Sequence, residues 1–151
     1  MDDMEIEDTA RWAPVGGSAA RIDSTGKVTG QTQYVEDITL PGMLHACVLR
    51  SSHHHARLLS IDAARALALP GVVRVITAQD IPSQNGLTGY SLDEPVLTPV
   101  GDTLKQKGAP IALVIAESHD QALQARTAIA VGYEPLPHLF EVAQALSPQA
   151  S

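Results

Sequence analysis

The sequence predicts an α+β domain, and three observations predict it. Short β-branched and apolar runs recur, with VVRVITA at 72–78 and IALVIAE at 111–117 the plainest. Two stretches rich in Ala and Leu, at about 62–69 and 118–130, place good helix formers behind a capping residue. Turn formers punctuate the chain at Pro41-Gly42, Pro70-Gly71 and Gly108-Ala109-Pro110. The resulting order is strand, strand, helix, strand, loop, strand, helix, strand. Periodicity alone reads this as a mixed α/β or α+β single domain, and 151 residues suffice for one real core.

Each element has a local reason. Residues 1–14 are acidic and aperiodic, and read as a flexible arm with Trp12 as its candidate anchor. RIDSTGKVTG at 21–30 mixes charge with turn formers, as an ordered loop does, and Gly26 and Gly30 suit backbone at positive φ. MLHACVLRS at 43–51 alternates Leu44, Ala46, Val48 and Arg50 against Met43, His45, Cys47 and Leu49. Both sets are largely apolar, which predicts a central strand. ARLLSID at 56–62 is a second strand, and Asp62 is positioned to cap the helix after it. Pro70-Gly71 stops that helix and VVRVITA follows as a third strand. Residues 83–102 carry Gly, Pro, Ser, Asn and Asp without a period, the longest irregular segment, and loops of this length often contact ligands or partners. TLKQK at 103–107 reads as an edge strand, with Lys105 and Lys107 guarding the edge. IALVIAE is a buried strand. Ser118-His119-Asp120-Gln121 fits a capping box, and Ala122, Ala125 and Ile129 share one face of the helix behind it. VGYEPLP at 131–137 closes the core, and 143–151 reads as a frayed tail.

Composition excludes several classes. A net charge of −7 with ten scattered basic residues argues against nucleic acid and anionic membranes as partners. IALVIA at 111–116 is too short to span a bilayer, and the acidic N-terminus does not resemble a signal peptide. Cys47 is the single cysteine, so the chain has no intrachain disulfide and cannot alone supply the four thiolates of an iron–sulfur cluster. A cytoplasmic location is the simplest expectation.

No assembled catalytic constellation is visible. His53, His54 and His55 are consecutive; in an extended segment the outer two share a face, and His45, Cys47 or Asp62 would have to complete a metal site. The spacing matches no strong metal motif, and a polar turn before a strand, with imidazoles bonding to backbone carbonyls or facing solvent, is the favoured reading. VGGS at 15–18 lacks both phosphate-loop spacings. Asp93-Glu94 reads as a solvated pair, Cys47 as an inert buried thiol, and Ser118 as a cap rather than a nucleophile. The sequence therefore predicts no catalytic, cofactor-binding or metal-binding residue.

Longer segments carry a resemblance. VGGSAARIDSTGKVTGQTQYVEDITLPGMLHACVLRSSHHHARLLSID, then ALPGVVRVITAQDIP, then GAPIALVIAESHDQALQARTAIAVGYEPLP run in order from residue 15 to 137, within a stretch of roughly residues 15 to 142. Together they resemble the N-terminal α/β hammerhead domain of the molybdenum-binding large subunit in the xanthine dehydrogenase, aldehyde oxidase and carbon monoxide dehydrogenase family. The family commonly has Arg-Ser-Pro-His-x-His-Ala-Arg at the histidine segment. Arg50, Ser51, His53, His55, Ala56 and Arg57 match it, Ser52 replaces the proline, and His54 fills a variable position. Before the buried strand the family's usual tyrosine and glutamine are Gln106 and Ala109, while Gly108 and Pro110 keep the turn.

The resemblance implies a single α/β hammerhead domain, a mixed sheet with two main helices, over residues 15–142. It implies a hammerhead subunit or fragment of a molybdenum hydroxylase, an oxidoreductase that hydroxylates a substrate C–H carbon with oxygen from water. The family's molybdopterin loops and glutamate base lie beyond this domain and have no matching positions here. Molybdopterin, iron–sulfur clusters and FAD or another electron acceptor are accordingly expected on partner chains, with this chain in a structural and assembly role. The alternative is a stand-alone binding or scaffold module that reuses the fold.

Overall fold

A computed structural model describes residues 17–18, 21–86 and 94–148. The arm at 1–14, Trp12, Asp93 and the last three residues lie outside them. The chain divides between Leu40 and Pro41 into two compact units.

In the first unit, the expected loop at 21–30 contains a one-turn helix, α1 (Ser24–Val28). Gly26 is helical there, and only Gly30 takes a positive φ, of 71°. Arg21 and Lys27 both pair with Asp23, and these bonds hold its carboxyl below the usual range. A 3₁₀ turn follows at Val35–Asp37, where Tyr34 N–H donates to the Asp37 carboxylate at 2.9 Å.

Among its described residues the second unit contains six strands: β1 (His45–Arg50), β2 (Ala56–Asp62), β3 (Val72–Ile76), β4 (Thr103–Leu104), β5 (Pro110–Ala116) and β6 (Ala130–Pro135). Three helices accompany them: α2 (Ala64–Leu67), α3 (His119–Ala128) and α4 (Val142–Ala145). The α+β class holds. The single mixed sheet does not: there are two antiparallel sheets, ordered β1-β5-β3 and β4-β2-β6. Strand order and direction follow from pairing between distant segments, to which apolar periodicity is blind.

The same reason corrects β1, which lies at a sheet edge and not at the centre. Apolarity on both faces reports layers above and below a strand, whereas edge or centre depends on hydrogen bonding in the plane of the sheet. The central strand is β5, PIALVIA, with Ile111, Ala112, Val114 and Ala116 all fully buried. Its neighbours build the core. Ile111 and Ala112 join Ala56, Leu58 and Leu104 in a cluster linking the two sheets. Val114 packs with Ala66, Ala125 and Ile129, so the helices cover β5 on that side. At about 25 cal/mol per Å2 of buried apolar surface, these aliphatic contacts are the main stabilising force.

The helix expected at 62–69 is a single turn. Asp62 ends β2 instead of occupying the N-cap, yet its carboxylate still accepts from Ala64 N–H at 3.0 Å. The helix expected to reach 130 stops at Ala128, because Ile129 turns extended and feeds β6. Its start is as anticipated: Ser118 Oγ accepts from Gln121 N–H at 3.3 Å. β4 covers only Thr103–Leu104, so Lys105 and Lys107 lie just past the edge strand. Within 143–151, α4 gives the first part helical form.

The irregular segment is stitched down where it is described. The Asn85 amide bridges Leu97, donating to its carbonyl at 2.7 Å and accepting from its N–H at 3.1 Å. Gly101 N–H donates to Leu58 O, and Leu58 N–H donates to Asp102 O.

Candidate functional site

The histidine segment is a bent turn, not an extended strand, between β1 and β2. Ser51 forms it: this buried side chain accepts from His53 N–H at 3.0 Å, and its backbone bonds Ala109 O and, through its carbonyl, Gly108 N–H. Arg50 adds a bond from its guanidinium to Gly108 O at 2.9 Å. Gly108, at φ 90°, turns the chain so that these bonds can close.

The three rings then diverge. His53 lies against Tyr133, with ring centroids 4.4 Å apart. His54 stacks on His138 at 5.8 Å and meets Phe140 edge-on at 4.8 Å. His55 bonds through Nδ1 to the carbonyl of Pro137. A carbonyl only accepts, so Nδ1 carries the hydrogen. Of the favoured reading of the run, bonding to a backbone carbonyl describes His55 and a solvent-facing position describes His54, which is exposed; aromatic packing of His53 and His54 was not anticipated. Burial pushes the Tyr133 phenol above its ordinary value, opposed by hydrogen bonding with Ser52 and Ser51. Tyr133, His138 and Phe140 carried no signal of this role, because no local pattern ties them to residues 53–55.

The other candidates stay apart from that turn. His45 pairs edge-on with His119 at 6.4 Å, at the meeting of β1 and α3. Cys47 is buried, and Arg126 donates to its sulfur at 3.4 Å. Among the described residues, no three His, Cys, Asp or Glu side chains gather as a metal site. Ser118 bonds within its own cap, to Gln121. Glu94 is exposed and, with Asp102, Lys105, Gln106 and Ala109, lines an open cleft of about 500 Å3. The two departures from the family pattern just before the buried strand, Gln106 and Ala109, both line this cleft. Several large apolar side chains are more than a third exposed; Leu139, Phe140, Val142 and Leu146 concentrate four of them after β6. None of the helices in the described residues is long and apolar enough to cross a membrane.

Comparison with known proteins places this architecture. Residues 29–137 match the family model for the aldehyde oxidase and xanthine dehydrogenase a/b hammerhead domain. The chain is 36% identical over 132 residues to the nicotinate dehydrogenase large molybdopterin subunit of Eubacterium barkeri, covering 87% of this chain and 31% of that one. It is 36% identical over 137 residues to the carbon monoxide dehydrogenase large chain of Afipia carboxidovorans, covering 90% of this chain and 17% of the relative. The aldehyde oxidoreductase from Desulfovibrio gigas superposes with a TM-score of 0.79 at 31% identity, over 87% of this chain and 16% of that one. The chain thus spans less than a third of the length of these relatives. It belongs to the aldehyde oxidase and xanthine dehydrogenase family, whose a/b hammerhead domain it carries.

Proposed function

We propose that this chain is the hammerhead portion, as a subunit or a fragment, of a molybdenum hydroxylase of the xanthine dehydrogenase and aldehyde oxidase type. Its role in that enzyme is structural: it packs against a molybdopterin-binding chain and helps assemble the whole. The observation that carries this reading is the hammerhead match over 29–137, combined with coverage of less than a third of each relative. The proposed domain runs from 15 to 142, between the acidic arm and the tail.

The residues present suit a supporting part and not a cofactor site. An iron–sulfur cluster needs thiolates, and the one thiol, Cys47, is buried and engaged by Arg126. The cleft beside Gln106 and Ala109 sets two carboxylates, Glu94 and Asp102, against the single cation Lys105, a lining that disfavours an anionic pterin phosphate there. Molybdopterin, iron–sulfur clusters and FAD are therefore assigned to partner chains, and hydroxylation of a C–H carbon with water to the assembled enzyme. Exposed apolar side chains such as Leu44, Leu59, Phe140 and Leu146 favour a partner surface. A cytoplasmic setting fits the lone cysteine.

The test is co-purification with the products of neighbouring genes, followed by native mass measurement and molybdenum and pterin analysis. The expected result is one complex holding this chain and a molybdopterin-containing chain. Recovery of a well-behaved monomer that never joins such a chain sinks the reading and favours a stand-alone module.

A further inference from the structure

Three segments far apart in the sequence meet at one open pocket of about 550 Å3: the histidine turn, the stretch after β4, and the stretch after β6. His54, His55, Lys105, Lys107, His138 and Phe140 line it, and among the described residues no carboxylate does. This is a concentration of potential positive charge in a chain of net charge −7. The neighbouring acids are accounted for. Glu134 on β6 pairs with Arg57 at 3.9 Å, and Glu94 and Asp102 line the adjoining cleft, which shares Lys105 and Gln106 with this pocket. Glu141 follows Phe140 in the chain and is exposed.

The rings are held in place. His54 and His138 stack, and Phe140 lies edge-on to both, at 4.8 and 4.6 Å. His55 is tied to Pro137 through Nδ1, so a second proton on it goes to Nε2. A metal is a poor fit, because stacked rings present faces to each other rather than converging lone pairs.

We propose that this pocket binds a doubly charged oxyanion of the sulfate or phosphate class, free or carried on a larger molecule. The Lys105 and Lys107 ammonium groups supply fixed charge. The imidazole rings of His54 and His138 add ring N–H donors at the same mouth.

Sulfate is the first probe, because it is doubly charged near neutral pH. Titration of the full 151-residue chain with sodium sulfate at low ionic strength, followed through the histidine NMR signals, is expected to show saturable shifts at His54 and His138. Lys105→Gln with Lys107→Gln should weaken the affinity by at least about fivefold, and His54→Gln should weaken it as well. Inorganic phosphate against phenyl phosphate separates the two sources: equal affinity identifies the ion alone, and tighter binding of phenyl phosphate identifies a carrier read by the aromatic rings. Absence of saturation overturns the proposal. So does affinity that neither the paired lysine variant nor His54→Gln alters.

Discussion

Gly71 and Gln121 meet where the end of α2 and the start of α3 converge: a β-carbon on Gly71 would lie 2.3 Å from Gln121 Nε2. Glu117 N–H also donates to Gly71 O at 2.9 Å, so the turn and the helix cap are one joint. Two separate turn signals, Pro70-Gly71 and Ser118-x-x-Gln121, are in contact.

Gly71→Ala should destabilise the fold by about 1–3 kcal/mol. The φ of 76° strains any β-carbon, whereas the clash is with the mobile end of a glutamine side chain and is the smaller effect. Urea unfolding of Gly71→Ala in wild-type and Gln121→Ala backgrounds checks this. Most of the loss should persist in the second background; full recovery there would mean that the clash dominates.

Leu58→Ala should cost about 2–5 kcal/mol. Leu58 is fully buried on the middle strand of its sheet, in the cluster that links both sheets, and both its N–H and C=O hold the 101–102 turn. The cavity would lie where the sheets meet, with little chance of local collapse. Chemical denaturation measures the loss, and a change below about 1 kcal/mol would contradict this placement.

Asp80 should contribute an acid-sensitive element of stability. Thr77 N–H donates to its carboxylate at 2.8 Å, the Thr77 hydroxyl at 3.1 Å and Arg74 at 3.1 Å, and these bonds hold its pKa below the ordinary range. With the folded value lower than the unfolded one, the contribution is complete above the unfolded value and is lost as pH falls through the folded value. Between about pH 5 and pH 2, Asp80→Asn should therefore show a shallower decline of stability than wild type. Parallel declines would remove Asp80 as a source of the acid sensitivity.

The double variant His53→Ala, His55→Ala should leave zinc affinity unchanged. His53 faces Tyr133 and His55 faces Pro137 O, so the two do not converge on a shared ion. Isothermal titration with zinc distinguishes the cases; a clear fall in affinity would restore a metal role.

Several local features were legible before any coordinates. The Ser118 cap works through a side chain reaching three residues along, so its signal lies within one turn. β5 is apolar throughout, Gly30 takes the positive φ expected of it, and the turns expected at Gly42, Gly71 and Gly108 are present, each with its glycine at positive φ. Gly26 misled, because glycine allows the left-handed region without requiring it. The helix at 62–69 was overestimated, because Asp62 has good capping chemistry but is claimed by β2 pairing with Ala130.

The sequence by itself determined the local turns and caps, the buried strand and, through the words around Arg50–Arg57, the family. Only the tertiary structure decided that β5 and not β1 is central, that the sheets are two, and that the histidine turn meets His138 and Phe140. The physical reason is range. Capping, turn geometry and alternation act over a few residues, whereas strand pairing and pocket walls join segments such as His55 and Pro137, 82 residues apart. Those contacts are selected by the packing of the whole core, and no local pattern specifies them.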